Sequence, residues 1–144
     1  MTEKALGIND KNFQVWANLA LAYGWLKQND RAAAAREREL KLVEETAKVQ
    51  AQDPRVQSAL GILYAQKKLR DKALTRIEAA LALAPDDPSI LADVGQAYEE
   101  LGDRRQALHY VTTALQKGFP IDRLKLVSDL QNLLADPNFR PNTK

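Results

Sequence analysis

Cysteine is absent from the 144-residue sequence, and histidine occurs once. Without thiols the chain forms neither disulfides nor a cysteine-based zinc site, and a single histidine leaves little material for a serine triad or a metal centre. The six glycines do not follow the spacings that cradle phosphates, so no nucleotide-binding loop is present. We therefore expect no catalytic site, no cofactor and no bound metal, and we expect that the chain is not an enzyme.

Long apolar runs and a strong net charge are also missing. No window approaches the roughly 18 consecutive apolar residues of a membrane-spanning helix, so we expect no membrane insertion. The formal net charge is only +2, and the basic run at residues 67–76 lacks interleaved aromatic side chains, so we expect no nucleic-acid partner. With 45% hydrophobic and 28% charged residues, the composition is that of a folded protein. We expect a cytoplasmic location, with the periplasm left open.

The sequence does contain a repeat of 34 residues, since nine residues of one segment recur at this spacing in the next. The first set is Asp53, Pro54, Gly61, Tyr64, Arg70, Ala73, Leu74, Ala80 and Leu81. The second set is Asp87, Pro88, Gly95, Tyr98, Arg104, Ala107, Leu108, Ala114 and Leu115. Upstream the offset is 41, from Leu19, Ala20, Tyr23 and Ala32 to Leu60, Gly61, Tyr64 and Ala73, so seven residues are added before Asp53. Such a period is typical of stacked helical hairpins.

The local residues of each repeat predict where its helices begin, approach each other and end. Asp53 and Asp87 are suited to cap helices whose first residue is the following proline. Gly61 and Gly95 allow a neighbouring helix to approach closely. Gly102 followed by an aspartate indicates a helix end and a new cap.

We predict an all-α fold of three helical hairpins and a C-terminal capping helix, in a single domain over residues 1–144. The predicted segments are the remnant of a preceding repeat at 1–8, repeats at 9–52, 53–86 and 87–120, a capping helix at 121–134 and a tail at 135–144, with Phe139 folding back onto the cap. In the first repeat, nothing breaks the second helix between Arg31 and Gln52, so we expect it to be unusually long.

The first residues point to a stack that continues upstream. Ala5 and Leu6 precede Tyr23 by the distances at which Ala80 and Leu81 precede Tyr98. We therefore expect that the sequence begins inside the closing turn of a preceding repeat of a longer protein. An N-terminal face that lacks its neighbour would expose apolar surface and favour self-association.

The repeated residues resemble the tetratricopeptide repeat over residues 5–117. The residues that carry the resemblance are Trp16, Leu19, Ala20, Tyr23 and Ala32 in the first repeat, and Gly61, Tyr64, Ala73, Ala80, Pro85, Gly95, Tyr98, Ala107 and Ala114 in the next two. The first repeat departs from the pattern at Glu39, where a small residue is expected. The resemblance implies a right-handed α-α superhelix.

A narrower resemblance is to the C-terminal repeat region of bacterial eukaryotic-like serine/threonine kinases. It rests on the long second helix and on Trp25, Gly118, Leu130, Leu133, Asp136, Pro137 and Phe139. Val127, Ser128 and Asn138 stand where that terminal motif usually has a further Asp-Pro and an arginine. The 144 residues contain none of the kinase motifs themselves.

The tetratricopeptide resemblance implies a scaffold that binds a partner protein or peptide in a groove lined by the first helix of each hairpin. The candidate groove residues are Gln14, Asn18, Leu21, Trp25, Arg55, Ser58, Ile62, Gln66, Ser89, Asp93, Gln96, Glu99 and Glu100. We expect an acidic end at Asp93, Glu99 and Glu100, which would favour a ligand with basic residues there. Trp25 is either a ligand anchor or a packing residue. The alternative function is an oligomerisation or spacer domain without a peptide ligand.

Overall fold

The computed structural model describes residues 13–140, and all regular structure in this range is helical. The helices are α1 (Phe13–Trp25), α2 (Asn29–Ala47), α3 (Pro54–Gln66), α4 (Arg70–Leu83), α5 (Pro88–Glu100), α6 (Arg104–Gln116), α7 (Ile121–Lys125), a 3-10 turn (Ser128–Leu130) and α8 (Gln131–Leu134). The long helices pack in consecutive pairs, α1 with α2, α3 with α4 and α5 with α6. This confirms the predicted all-α fold of helical hairpins. The predicted repeat remnant at 1–8 and the last four residues of the tail lie outside the described residues.

The chain divides into two compact units, Met1–Val49 and Gln50–Lys144. The first unit holds the α1–α2 hairpin, and the second holds the other two hairpins and the C-terminal segment. The division falls close to the predicted end of the first repeat at residue 52. The grouping of all repeats into one domain stays a prediction.

Aspartates cap three of the helices, as the sequence predicts. The side chains of Asp53, Asp87 and Asp103 each accept a hydrogen bond from a backbone N–H in the first turn of the helix that follows. Pro54 and Pro88 occupy first helical positions, where the missing N–H has no helical partner to lose. The predicted starts of α3, α5 and α6 are therefore confirmed.

One turn geometry closes all three hairpins. Lys27, Lys68 and Gly102, at equivalent positions of the repeats, adopt left-handed backbone angles with φ of 59°, 62° and 83°. In each hairpin the next residue donates its backbone N–H, at 2.9 Å, to the carbonyl of the tyrosine four residues before the left-handed residue, which is Tyr23, Tyr64 or Tyr98. This hydrogen bond ends the first helix and reverses the chain.

Helix α2 is the longest helix of the described residues, with 19 residues against 14 in α4 and 13 in α6. It ends at Ala47, so the prediction of an unbroken helix to Gln52 was wrong. The hydroxyl of Thr46 donates to the carbonyl of Leu42 at 2.8 Å, and Lys48 and Val49 donate to carbonyls three residues back. These bonds tighten the last turn and replace the continuing helical ladder.

The C-terminal segment is not the single capping helix predicted at 121–134, because it is broken into α7, the 3-10 turn and α8. In one straight helix Leu124 and Leu130 would lie about 120° apart around the axis. The extended backbone of Val127 changes the direction of the chain after α7. As a result Leu124, Leu130 and Leu133 all pack in one core cluster with α5 and α6. Phe139 packs against this cluster, as predicted.

Candidate binding face

The first unit holds four of the predicted groove residues on one side of α1. Gln14 and Asn18 are exposed, and the Gln14 amide donates to the Asn18 side-chain oxygen at 3.2 Å. Leu21 is partly buried, whereas Trp25 is 48% exposed at the end of the helix. The large exposed area of Trp25 leaves both predicted roles for this residue open.

In the second unit, the predicted groove residues of α3 and α5 lie next to each other. The hydroxyl of Ser58 on α3 donates to Oδ2 of Asp93 on α5 at 2.8 Å. Ser58 itself is only 2% exposed, so it positions Asp93 and is not available to a ligand, which differs from the prediction. We call the adjoining surface the α3–α5 face, and its members are Arg55, Ile62, Gln66, Ser89, Asp93, Gln96 and Glu100.

A second connection joins the two helices at the other end of this face. The carboxyl group of Glu100 lies close enough to the side chains of Gln66, Gln96 and Asp129 for all three to affect its pKa. The amide nitrogen of Gln66 also lies 3.5 Å from Oδ2 of Asp129, which comes from the 3-10 turn. The C-terminal segment therefore contributes to the α3–α5 face beside the two helices.

Burial changes the charge that the sequence predicts for this face. It raises the pKa of Glu100 to about 8, and the carboxylate of Asp129 raises it further in the same direction. Burial also raises the pKa of Asp93 to about 6, against the opposing effects of the Ser58 hydrogen bond and the positive charge of Arg123. At pH 7 Glu100 is thus mostly protonated, and the predicted acidic end carries less charge than its residues imply.

Glu99 belongs to a different contact and not to the α3–α5 face. Its carboxylate accepts two hydrogen bonds from Arg104, at 2.8 and 2.7 Å, and Arg104 also binds Asp136 at 2.7 Å. The backbone N–H of Asn138 and the Arg104 guanidinium lower the pKa of Asp136. This ion-pair cluster connects the tail to the start of α6. The Glu99 carboxylate already accepts two hydrogen bonds from Arg104, so it is less available to a ligand.

We predict that Glu100→Gln stabilises the second unit at neutral and alkaline pH. The pKa of Glu100 lies above its ordinary value of 4.5, so the folded chain keeps a proton that the unfolded chain releases. The contribution of Glu100 to stability is therefore greatest below pH 4.5 and falls as the pH rises to about 8. Glutamine cannot ionise, and we expect a gain of about 1–3 kcal/mol at pH 8 and little change at pH 4.

The measurement is urea unfolding of both chains followed by circular dichroism from pH 4 to pH 9. Glu99→Gln is the matched control on the neighbouring residue, and it should reduce stability because it weakens the pair with Arg104. A difference between the Glu100→Gln and parent chains that does not change with pH would contradict the protonation of Glu100.

Two residues of this region were missed by the sequence interpretation. Asp129 contacts Glu100, and Arg123 lies close enough to Asp93 to lower its pKa. Both belong to the C-terminal segment, which the sequence assigns to covering apolar surface. The sequence spacing does not relate them to α3 or α5, because the direction of the Asp129 side chain depends on the break in the helix at Val127.

No known family model matches the chain, and no curated protein matches it either. Among residues 13–140, no helix is both long and apolar enough to cross a membrane. Within the same range, no group of three or more histidine, aspartate or glutamate side chains is arranged to hold a metal ion.

Proposed function

We propose that the chain is a protein-interaction module of the tetratricopeptide-repeat type, and that the α3–α5 face binds an extended segment of a partner protein. The observation that carries the proposal is the Ser58–Asp93 hydrogen bond, which joins the predicted ligand-facing positions of two successive hairpins. Two first helices aligned in this way offer one continuous surface instead of two separate ones.

The chemistry of the face suits a peptide backbone. Ile62 is partly buried and offers apolar contact near the middle of α3. Gln96 is partly exposed, and its amide can donate and accept hydrogen bonds, as a peptide main chain requires. Because Glu100 is mostly protonated at pH 7, we expect binding to depend more on apolar and hydrogen-bond contacts than on charge.

The narrower resemblance leads us to propose that the module is a segment of a larger bacterial signalling protein in the cytoplasm. A module of this kind recruits a partner and carries out no chemistry itself. Any catalytic step would belong to other parts of that protein.

The test is selection of binding peptides from a random display library at pH 7, followed by affinity measurement with purified variants. We predict that Ile62→Glu weakens the selected peptides by roughly tenfold or more, since it places a charge at the apolar centre of the face. Leu83→Glu is the matched control, because Leu83 is an exposed leucine, 37% accessible, at the end of α4. The Leu83→Glu chain should bind the selected peptides with the same affinity as the parent chain.

Equal binding by the Ile62→Glu and parent chains would place the ligand elsewhere. Circular dichroism spectra of both variants establish that they are folded before the affinities are compared.

Self-association is the second candidate function, and exposed apolar side chains in the first unit favour it. At the end of α1, Trp25 is 48% exposed and the adjoining Leu26 is 64% exposed. Sedimentation velocity at increasing concentration separates the two functions, since a peptide-binding module stays monomeric whereas an oligomerisation domain does not.

A further inference from the structure

The first unit contains a cavity of about 670 Å³ that the α3–α5 face does not include. Trp16, Leu19 and Tyr23 of α1 form its apolar floor, and α2 supplies small alanine side chains. The rim carries three cationic side chains of α2, Arg31, Arg38 and Lys41, and one acidic side chain. We call this the first-unit cavity.

The last hairpin shows what such a surface accommodates. Trp16 and Tyr23 occupy the repeat positions of Leu91 and Tyr98. Leu91 and Tyr98 belong to the cluster that contains three leucines of the C-terminal segment, Leu124, Leu130 and Leu133. In that hairpin the surface is therefore covered by short helical turns that insert leucine side chains.

The rim charges distinguish the first-unit cavity from its counterpart. Counted along the helix, Arg31, Arg38 and Lys41 correspond to Gln106, Thr113 and Gln116, all uncharged. The Arg38 guanidinium lies over the Trp16 ring, 4.7 Å from its centroid, and the Arg31 guanidinium lies 6.0 Å from the centroid of the Tyr23 ring. The two guanidinium groups are therefore held at the edge of the apolar floor, a position suited to pairing with the carboxylates of a ligand.

We propose that the first-unit cavity binds an amphipathic helix of a partner protein, with leucines on one face and glutamate or aspartate beside them. The leucines contact the partly exposed Leu19 and Tyr23 above the buried Trp16 ring, and the carboxylates pair with Arg31, Arg38 and Lys41. This site is separate from the α3–α5 face, so one chain offers two docking surfaces of different chemistry. A nucleic acid is the weaker fit, because base stacking needs an open ring face and the Trp16 side chain is 2% exposed beneath Arg38.

The experiment uses the full chain and two fluorescein-labelled synthetic helical peptides. Both have leucine at alternating three- and four-residue spacing, and one has glutamate and the other lysine beside each leucine. By fluorescence anisotropy we expect the glutamate peptide to bind at least roughly tenfold more tightly than the lysine peptide at low salt. Arg31→Glu combined with Arg38→Glu should weaken the glutamate peptide by roughly tenfold.

Two further variants test the sign and the location of the effect. Glu37→Lys removes the acidic rim residue of the cavity, so it should strengthen binding of the glutamate peptide. Arg105→Glu is the matched charge reversal on an exposed residue of α6 in the second unit, and it should leave binding unchanged. Arg31 and Arg38 are exposed, and circular dichroism verifies that their variants are folded.

Equal affinity for the two peptides would overturn the proposal, as would full binding by the Arg31→Glu, Arg38→Glu chain. If an oligothymidylate at comparable concentration displaces the glutamate peptide, the ligand of the first-unit cavity is a nucleic acid and not a helix. A concentration-dependent dimer that the double reversal abolishes would identify the occupant as a second copy of the chain.

Discussion

Replacing Leu130 by aspartate should unfold the second unit at room temperature or lower its free energy of unfolding by about 4 kcal/mol or more. Leu130 is 1% exposed and packs in the cluster that joins the C-terminal segment to α5 and α6. Truncating a buried leucine costs about 2–5 kcal/mol, and a buried carboxylate without a cationic partner adds to this cost. Thermal and urea unfolding followed by circular dichroism measure the loss.

Leu126→Asp is the matched control in the same segment. Leu126 is 60% exposed, so the same substitution there should change stability by no more than about 0.5 kcal/mol. If the Leu130→Asp chain melts as the parent does, the C-terminal segment is not packed against α5 and α6. If both variants lose stability equally, the loss reflects the added charge and not the buried position.

Replacing Gly95 by alanine should cost the second unit about 1–3 kcal/mol. A Cβ atom at this position would lie 2.5 Å from Cγ2 and 3.0 Å from the backbone nitrogen of Val111. Since Val111 is buried, α5 and α6 must move apart to admit the methyl group. In an open helix the same substitution would stabilise by about 1 kcal/mol, so a loss shows that close helix contact outweighs helix propensity.

Gly61→Ala is the matched control at the equivalent position of the preceding repeat. There the added Cβ would lie 3.2 Å from Cγ1 of Ile77, so this side chain needs to shift by only a few tenths of an ångström. We expect this variant to be within about 1 kcal/mol of the parent, because the gain in helix propensity offsets the crowding. Equal losses at Gly61 and Gly95 would mean that the two hairpins pack with the same separation.

The repeat predicted the hairpins because the residues that define it act through local rules. An aspartate before a proline caps a helix wherever it occurs, and Asp53 and Asp87 do so here. The two glycines on α3 and α5 lie where these helices contact α4 and α6, so their spacing also predicted which helices pack together. These features depend on a few neighbouring residues and not on the rest of the fold.

The features that sequence reasoning missed depend on packing or on burial. Lysine carries no signal for left-handed backbone, yet Lys27 and Lys68 adopt it because the helices on either side of the turn fix the reversal. The break at Val127 arises because Leu124 and Leu130 are both drawn into one core. The protonation of Glu100 follows from desolvation by its neighbours, which a list of residue types does not contain.

For the candidate site, the sequence placed the residues of α3 and α5 on adjoining helices, and the structure brings them together. It did not foresee that Ser58 is buried beneath Asp93 or that Glu99 is bound by Arg104. Helical register gives the direction of a side chain, whereas accessibility also depends on the neighbouring element.

The division at Val49 determines what spectroscopy can observe in this chain. Both tryptophans, Trp16 and Trp25, precede the division, and the second unit contains tyrosine as its strongest chromophore. Intrinsic fluorescence excited at the red edge of the absorption band therefore reports on the α1–α2 hairpin alone, while circular dichroism averages over every helix. Unfolding of the second unit by a substitution at Leu130 would remove most of the helical signal, whereas the tryptophan emission reports on the first unit. A tryptophan introduced at Phe119, which packs against the last core cluster, would give the second unit an optical reporter of its own.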